Sequence, residues 1–232
     1  MARINKAQLT KTEILQVASR LFLEKGYSNT SVRAISDELE MSTGNVTFYY
    51  PTKEHMLAEL VKLLSEFQWK QMEREAQDGN SKVVAVCLEL VTMAYACQED
   101  EVARDIFISS YQSPLCLEVI RQNDARRAQL VFAEYRPDWT SEQYDEAEIL
   151  VSGVEYATLT SLDSAVPFET RLSGALHNIL GIYNLPPALR EQKIKRVFEL
   201  DYQGVGKRTL ENFRNYVEQA NEQAFMDLLK CR

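Results

Sequence analysis

Apolar residues recur along this chain at steps of three and four, and no segment reads convincingly as a strand. The first helix opens at Thr10-x-x-Glu13, a capping-box spacing, and carries Ile14, Val17, Ala18, Leu21 and Phe22 on one face. Gly26, which tolerates a left-handed C′ conformation, closes it. A second, short helix starts near Thr30 or Ser31 and buries Val32, Ile35 and Leu39. Glu40-Met41 turns the chain, and Ser42 caps a third helix whose inward residues are Val46 and either Tyr49 or Tyr50. After a break at Pro51-Thr52, a long helix over about 53–75 places Leu57, Leu60, Val61, Leu64 and Phe67 on one side. Asp78-Gly79-Asn80-Ser81 is a turn cluster. Further helices are expected at about 81–98, 101–112, 114–136, 140–163, 168–184, 187–201 and 207–230. Ser113-Pro114 sets a cap before a proline at the first helical position. The expectation is an all-α chain of about 10–11 helices: a helix-turn-helix unit over 1–52, then a larger helical domain over 53–232 entered through the fourth helix.

Composition is that of an ordinary globular protein, with 45% hydrophobic and 26% charged residues. No apolar run reaches transmembrane length, and the opening MARINKAQLTKTE lacks the apolar core of a signal peptide. Cys87, Cys97, Cys116 and Cys231 are widely spaced without a C-x-x-C pair, which fits free thiols in a reducing cytoplasm. The net charge of −8 argues against nucleic acid until it is divided along the chain. Residues 1–55 hold seven Lys/Arg against six Asp/Glu, and the remainder nineteen against twenty-eight. A near-neutral head on an acidic body fits a DNA-binding module joined to a domain with other work.

Three short helices, the last two joined by a tight turn, follow the helix-turn-helix plan, in which the second helix of the pair enters the major groove. The residues sharpen this. Glu24-Lys25-Gly26-Tyr27, Thr30-Ser31-Val32-Arg33, Ser42-Thr43-Gly44, the aromatic pair and Pro51 to Glu54 stand in register. Over about residues 10–61 the chain resembles the N-terminal DNA-binding domain of the TetR family of transcriptional regulators. The resemblance implies a homodimer on double-stranded operator DNA, no cofactor, and a body that senses a small ligand. No comparable resemblance covers residues 75–232.

The candidate DNA-binding residues are Thr30, Ser31, Arg33, Ser42, Thr43, Gly44, Asn45, Thr47, Phe48, Tyr49 and Lys53. Lys53 begins the fourth helix, where its ammonium and the free backbone amides could meet a phosphate, a contact the resemblance also implies. Arg33 can reach a phosphate or a guanine edge. Asn45 can pair with adenine, and Thr43 or Thr47 can bond bases or touch a thymine methyl. Arg3, Lys6 and Lys11 make a basic arm. Two departures from the family pattern matter: Thr43 stands where Lys is common, and Thr47 where an aromatic is usual. Residues 42–50 contain no Lys or Arg, so the recognition helix cannot make a bidentate Arg–guanine contact.

An operator reader needs two heads about 34–36 Å apart, or a multiple of that. The helices near 140–163 and 168–184 are the dimerisation candidates, through Leu150, Gly153, Val154, Ala157 and Ser161, and through Leu172, Leu176, Ile179, Leu180 and Tyr183. The resemblance implies a four-helix interface from this pair, although an intramolecular core would show the same stripes. It also implies a sensing cavity among helices at about 81–136. Cys87, Val91, Met93, Tyr95, Phe107, Tyr111, Cys116, Ile120 and Tyr156 are the candidate lining, and they favour a small, largely apolar ligand. No metal site, G-x-G-x-x-G, G-x-S-x-G or H-E-x-x-H motif occurs, and no enzymatic activity is expected. Isolated Asp and Glu residues on the helices read as solvated faces. The competing readings are an activator of the same type and a helical ligand- or partner-binding protein whose head does not bind DNA.

Overall fold

A computed structural model describes residues 6–76, 82–161 and 164–230, with side chains described except at 222 and 224–230. Among the described residues the chain forms eleven helices and no strand. They are α1 (Lys6–Lys25), α2 (Val32–Glu38), α3 (Thr43–Tyr49), α4 (Lys53–Glu75), α5 (Lys82–Glu99), α6 (Glu101–Gln112), α7 (Pro114–Phe132), α8 (Ser141–Thr160), α9 (Phe168–Ile182), α10 (Pro187–Phe198) and α11 (Tyr202–Lys230). The turn expected at 78–81, Arg3 and Cys231 lie outside the described residues.

The head is built on local signals. Ser31 caps α2 by accepting from Ala34 N, and Ser42 caps α3 by accepting from Asn45 N. Glu40 turns the chain between them at φ 52°, a left-handed conformation usually taken by glycine or asparagine. Ile14, Ala18, Leu21 and Phe22 of α1 bury against Ile35, Val46 and Tyr50. Tyr50, not Tyr49, therefore fills the three-helix core, and its hydroxyl donates to Lys11 O at 3.5 Å. α1 begins at Lys6, four residues before the expected cap. Thr10 sits inside the helix and donates back to Lys6 O at 3.1 Å instead of capping.

In the body, α5 is buried almost all round and forms the centre, with α4, α6, α8, α10 and α11 packed about it. The largest departures from the expected boundaries in the body are at α7 and α11. α7 ends at Phe132, after which the chain passes into a turn with Tyr135 N and Arg136 N both bonded to the Phe132 carbonyl. Arg136 is held away from the helix by a bond to Ile182 O and by its guanidinium lying 4.5 Å from the Trp139 ring centroid. α11 starts at Tyr202, so Gly204 and Gly206 are helical and not a loop. Asp201 caps it through Gly204 N at 3.0 Å. Gly206 is required by close approach to α5: a Cβ there would meet Thr92 O and the Tyr95 ring at 3.0 Å.

Among the described residues, α6 and α11 both hold the head. Asp105 of α6 accepts from Ser28 N at 2.8 Å and from the Ser28 hydroxyl. Arg214 of α11 donates to the Leu23 carbonyl near the end of α1.

Candidate nucleic-acid interface and central cavity

The head exposes one face made by α3 and the start of α2. Ser31, Arg33, Ser42, Thr43, Gly44, Asn45 and Phe48 are all exposed. Phe48 is the most prominent, at 79%. Tyr49 is half-buried with its ring edge-on to Phe48 at 5.2 Å. Thr43 Oγ1 lies 3.2 Å from Ser36 Oγ, pinning α3 to α2, and Thr47 returns its hydroxyl to Gly44 O at 3.2 Å. No atom lies within 4 Å of a Cβ added at Gly44, so packing does not demand a glycine there. Arg33 meets Asp37 only at 3.7 Å with both side chains well exposed, a pair weak enough to leave the guanidinium for a phosphate.

Two candidates are placed differently from their expected roles. Thr30 is buried and donates to Gly26 O at 2.8 Å, so it shapes the α1–α2 loop and does not face outward. Lys53 turns its ammonium inward: Nζ donates to Tyr27 O at 2.7 Å and Thr30 O at 2.9 Å, and lies 3.9 Å from the Tyr27 ring centroid. Burial lowers its pKa. At the same helix start, the Glu54 carboxyl is held below its usual range first by a hydrogen bond from Thr52. A carboxylate thus occupies the first turn where a phosphate was expected.

Inside the body, α4 through α9 line a central cavity that is partly open to solvent. Apolar walls come from Leu64, Met93, Phe107, Ile120 and Phe132, with the Trp69 ring on one side. Among them stand four carboxylates, Glu89, Asp124, Glu148 and Glu155, and one guanidinium, Arg127. Arg127 Nη1 reaches both oxygens of Glu89 at 3.1 and 3.0 Å, and Nη2 donates to Asp124. Glu155 accepts from the Tyr111 hydroxyl at 2.8 Å. Glu148 is 2% exposed; its Oε1 accepts from the Tyr183 hydroxyl, and its Oε2 has no partner. Burial, with the neighbouring Asp124 next, pushes the Glu148 carboxyl up to about 8 and raises Glu155 well above the carboxylate range. Burial raises Glu89 and Asp124 too, with Arg127 opposing. Burial also raises Tyr111 and Tyr183, so both hydroxyls stay protonated and donate.

The family model for bacterial regulatory proteins of the tetR family matches residues 14–60. This span holds the helix-turn-helix. The head is similar to the DNA-binding domain of the tetR family. The chain is 33% identical over 67 residues to the HTH-type transcriptional regulator QacR of Staphylococcus aureus, covering 29% of this chain and 35% of QacR. It is 33% identical over 86 residues to the HTH-type transcriptional repressor KstR2 of Rhodococcus jostii, covering 37% and 41%. The chain thus spans well under half the length of these curated relatives. Among solved structures, SmeT, the repressor of the Stenotrophomonas maltophilia multidrug efflux pump SmeDEF, aligns with a TM-score of 0.50 at 17% identity, over 76% of this chain and 91% of SmeT. That likeness supports the fold.

Behind the TetR-type head, five candidate lining residues, Cys87, Met93, Phe107, Tyr111 and Ile120, do border the cavity. Four are placed elsewhere. Tyr95 stacks edge-on with Phe168 and Tyr202, Cys116 lies against the Glu54 carbonyl, and Val91 is packed in the core away from the cavity. Tyr156 stands behind Tyr111, stacked at 6.5 Å. The candidate dimer residues divide by helix. Leu172, Leu176, Ile179, Leu180 and Tyr183 of α9 are buried within a single chain, so this stripe is core and not a free interface. On α8, Leu150 is 62% exposed, Gly153 and Ala157 are exposed, Val154 is half-buried, and Ser161 is exposed just past the helix end. The exposed side of α9 is instead Thr170, Gly174 and Asn178. The charged cluster is not visible as such in the sequence, where isolated Asp and Glu residues on helices read as solvated faces. One signal was present: Glu89 stands in the otherwise apolar run VVAVCLELVTMAYAC, and Glu148 and Glu155 are seven apart on one face of α8.

Proposed function

We propose that the chain is a homodimeric transcriptional repressor that binds a palindromic operator through its head and releases it when a small molecule enters the central cavity. The observation that carries this reading is α6. Phe107, Ser110 and Tyr111 form part of the cavity wall, and Asp105 on the same helix holds Ser28 of the head loop. A ligand that shifts α6 by a fraction of a helical turn changes the position of the head without any further linkage. It acts through its preference for one head spacing over another. The dimer is formed by the exposed side of α8 (Ile149, Leu150, Gly153, Ala157) with Gly174 and Asn178 of α9, where glycines allow helices to approach closely.

On DNA, Ser42, Thr43, Asn45 and Phe48 face the major groove and Arg33 the phosphates or a guanine. Ser31 and Tyr49 flank them. With no basic residue on α3, the site is read through A·T pairs and DNA shape. Lys53 acts chiefly by fixing the loop that carries Ser31.

Selection of operators from a random duplex pool tests this. The intact protein should enrich an inverted repeat, and Asn45→Ala should relax preference at one symmetric pair of positions. Binding should weaken steeply with salt. Absence of any enriched repeat at low salt would refute operator reading and favour a helical ligand-binding protein.

A further inference from the structure

We propose that the cavity ligand is an organic cation, an amine or quaternary ammonium on an aromatic or aliphatic body, whose charge sits between Glu148 and Glu155 while its body lies against Trp69 and Phe107. This rests on the effector role of the cavity and names the chemical class of the effector.

The argument is one of charge balance. Four carboxylates share one cavity with a single guanidinium, and Arg127 is already engaged by two of them, Glu89 and Asp124. The other two, on α8, have only tyrosine hydroxyls, and Glu148 leaves one oxygen with no partner while being 2% exposed. An unpaired carboxylate in such a place is unfavourable unless something arrives to pair with it. A neutral apolar ligand would leave that oxygen orphaned and bury it more deeply; an anion would find the one guanidinium, Arg127, already held by Glu89 and Asp124. A metal ion fits poorly, because among the described residues no three His, Cys, Asp or Glu side chains converge as a metal site. A diffuse cation suits the arrangement, since aromatic faces attract it and the carboxylates need not converge on one point.

Binding is then linked to protons. Glu148 is faced by Glu89 of α5, Tyr111 of α6, Arg121, Asp124 and Arg127 of α7, Glu155 of its own helix and Tyr183 of α9; the α4 wall, with Gln68 and Trp69, brings no charge. Burial keeps Glu148 and Glu155 protonated in the empty cavity near neutral pH. A cation entering displaces a proton, so affinity rises with pH and protons appear in solution.

The test uses the intact protein and three naphthalenes of similar shape: (2-naphthylmethyl)trimethylammonium, 2-neopentylnaphthalene and 2-naphthaleneacetate. Calorimetry in two buffers of different ionisation enthalpy gives affinity and proton release together. The ammonium should bind at least about tenfold tighter than the neutral compound, a ratio equal to about 1.4 kcal/mol. It should release protons on binding at pH 7 and tighten between pH 6 and 8. Glu148→Gln and Glu155→Gln should each remove most of that preference while leaving the neutral compound's affinity unchanged, which a merely misfolded variant would not do. Equal or tighter binding of the neutral or anionic compound, no binding of the ammonium, or an unchanged preference in both variants would overturn the proposal. Operator selection without ligand separates the two ideas. A cation that binds a protein enriching no operator refutes the repressor and keeps the cation; an operator released only by the neutral compound does the reverse.

Discussion

Replacing Glu148 by Gln should change how stability depends on pH, and by an amount that follows from its surroundings. The carboxyl is pushed up to about 8 from an ordinary 4.5, chiefly by burial. Below pH 4.5 it is protonated in folded and unfolded chains alike and contributes no pH dependence. Between 4.5 and 8 the unfolded chain loses the proton and the folded chain keeps it, so each pH unit favours unfolding by about 1.4 kcal/mol. Above 8 both states are ionised and the penalty stops growing. Across the window the penalty grows to a sizeable share of the roughly 5–15 kcal/mol that holds a whole domain folded.

Gln keeps the shape and still accepts from the Tyr183 hydroxyl, but it cannot ionise. It also puts an amide where Oε2 now has no partner, which costs about 1–3 kcal/mol at every pH. Urea unfolding at pH 5, 6, 7 and 8 should therefore show the variant less stable than wild type at pH 5. The difference should shrink by about 1.4 kcal/mol per unit and reverse by pH 8. A difference that stays constant across this range would refute the reasoning, since it would mean that Glu148 titrates alike in both states.

Gly26→Ala should lower the melting temperature by several degrees, because φ is +88° and a Cβ would meet Asp105 Oδ2 at 2.7 Å; an unchanged melt would remove Asp105 from the loop. Lys53→Met should destabilise the head by about 1–3 kcal/mol through loss of the bonds to Tyr27 O and Thr30 O, seen as faster amide exchange over residues 26–31. Weaker DNA binding with unchanged exchange would instead make Lys53 a direct phosphate contact. Leu150→Glu should give a monomer by sedimentation with the fold intact, whereas Leu172→Ala should leave the mass unchanged and cost about 2–5 kcal/mol of stability; the opposite pattern would place the interface on the α9 stripe. Asp105→Asn should leave operator binding near wild type and raise the ligand concentration needed for release, so an unchanged release curve would exclude the Ser28 clasp from the coupling.

What could be read from the sequence follows the range of the forces involved. Ser31, Ser42 and Ser113 cap the helices expected of them because a cap is decided within four residues. The same logic failed at Thr10, where the helix had already begun, since a spacing cannot reveal that upstream residues are helical too. The segment 202–206 falls between the expected helices because no local signal reveals that Thr92 and Tyr95 press against Gly206 from more than a hundred residues away. On α9 the apolar stripe was visible, but its partner was not: Leu172 and Tyr183 face the same chain, and a stripe reads alike in either case. The exposed face of the head is legible because its residues lie on α3 and beside the α2 cap. The charged cavity was not, because its five charged groups come from α5, α7 and α8 and only tertiary packing brings them together.

The placement of those groups also bears on why the body is built this way. A cavity lined only by leucines would be more stable, and it would bind apolar molecules with little discrimination. Glu148 and Glu155 lower the stability of the empty state above pH 4.5, and a bound cation would return that stability at the moment of binding. Their hydroxyl partners make the effect directional. Tyr111, bonded to Glu155, lies on α6, six residues from the Asp105 that holds Ser28; Tyr183, bonded to Glu148, lies at the end of α9 and stacks on Phe132 at 4.1 Å. Ionising the two carboxylates around a cation strengthens both tyrosine hydrogen bonds, and one of these pulls on the helix that carries the head clasp. On the proposed reading, the destabilised empty cavity and the signal to the head would be two results of the same buried charges.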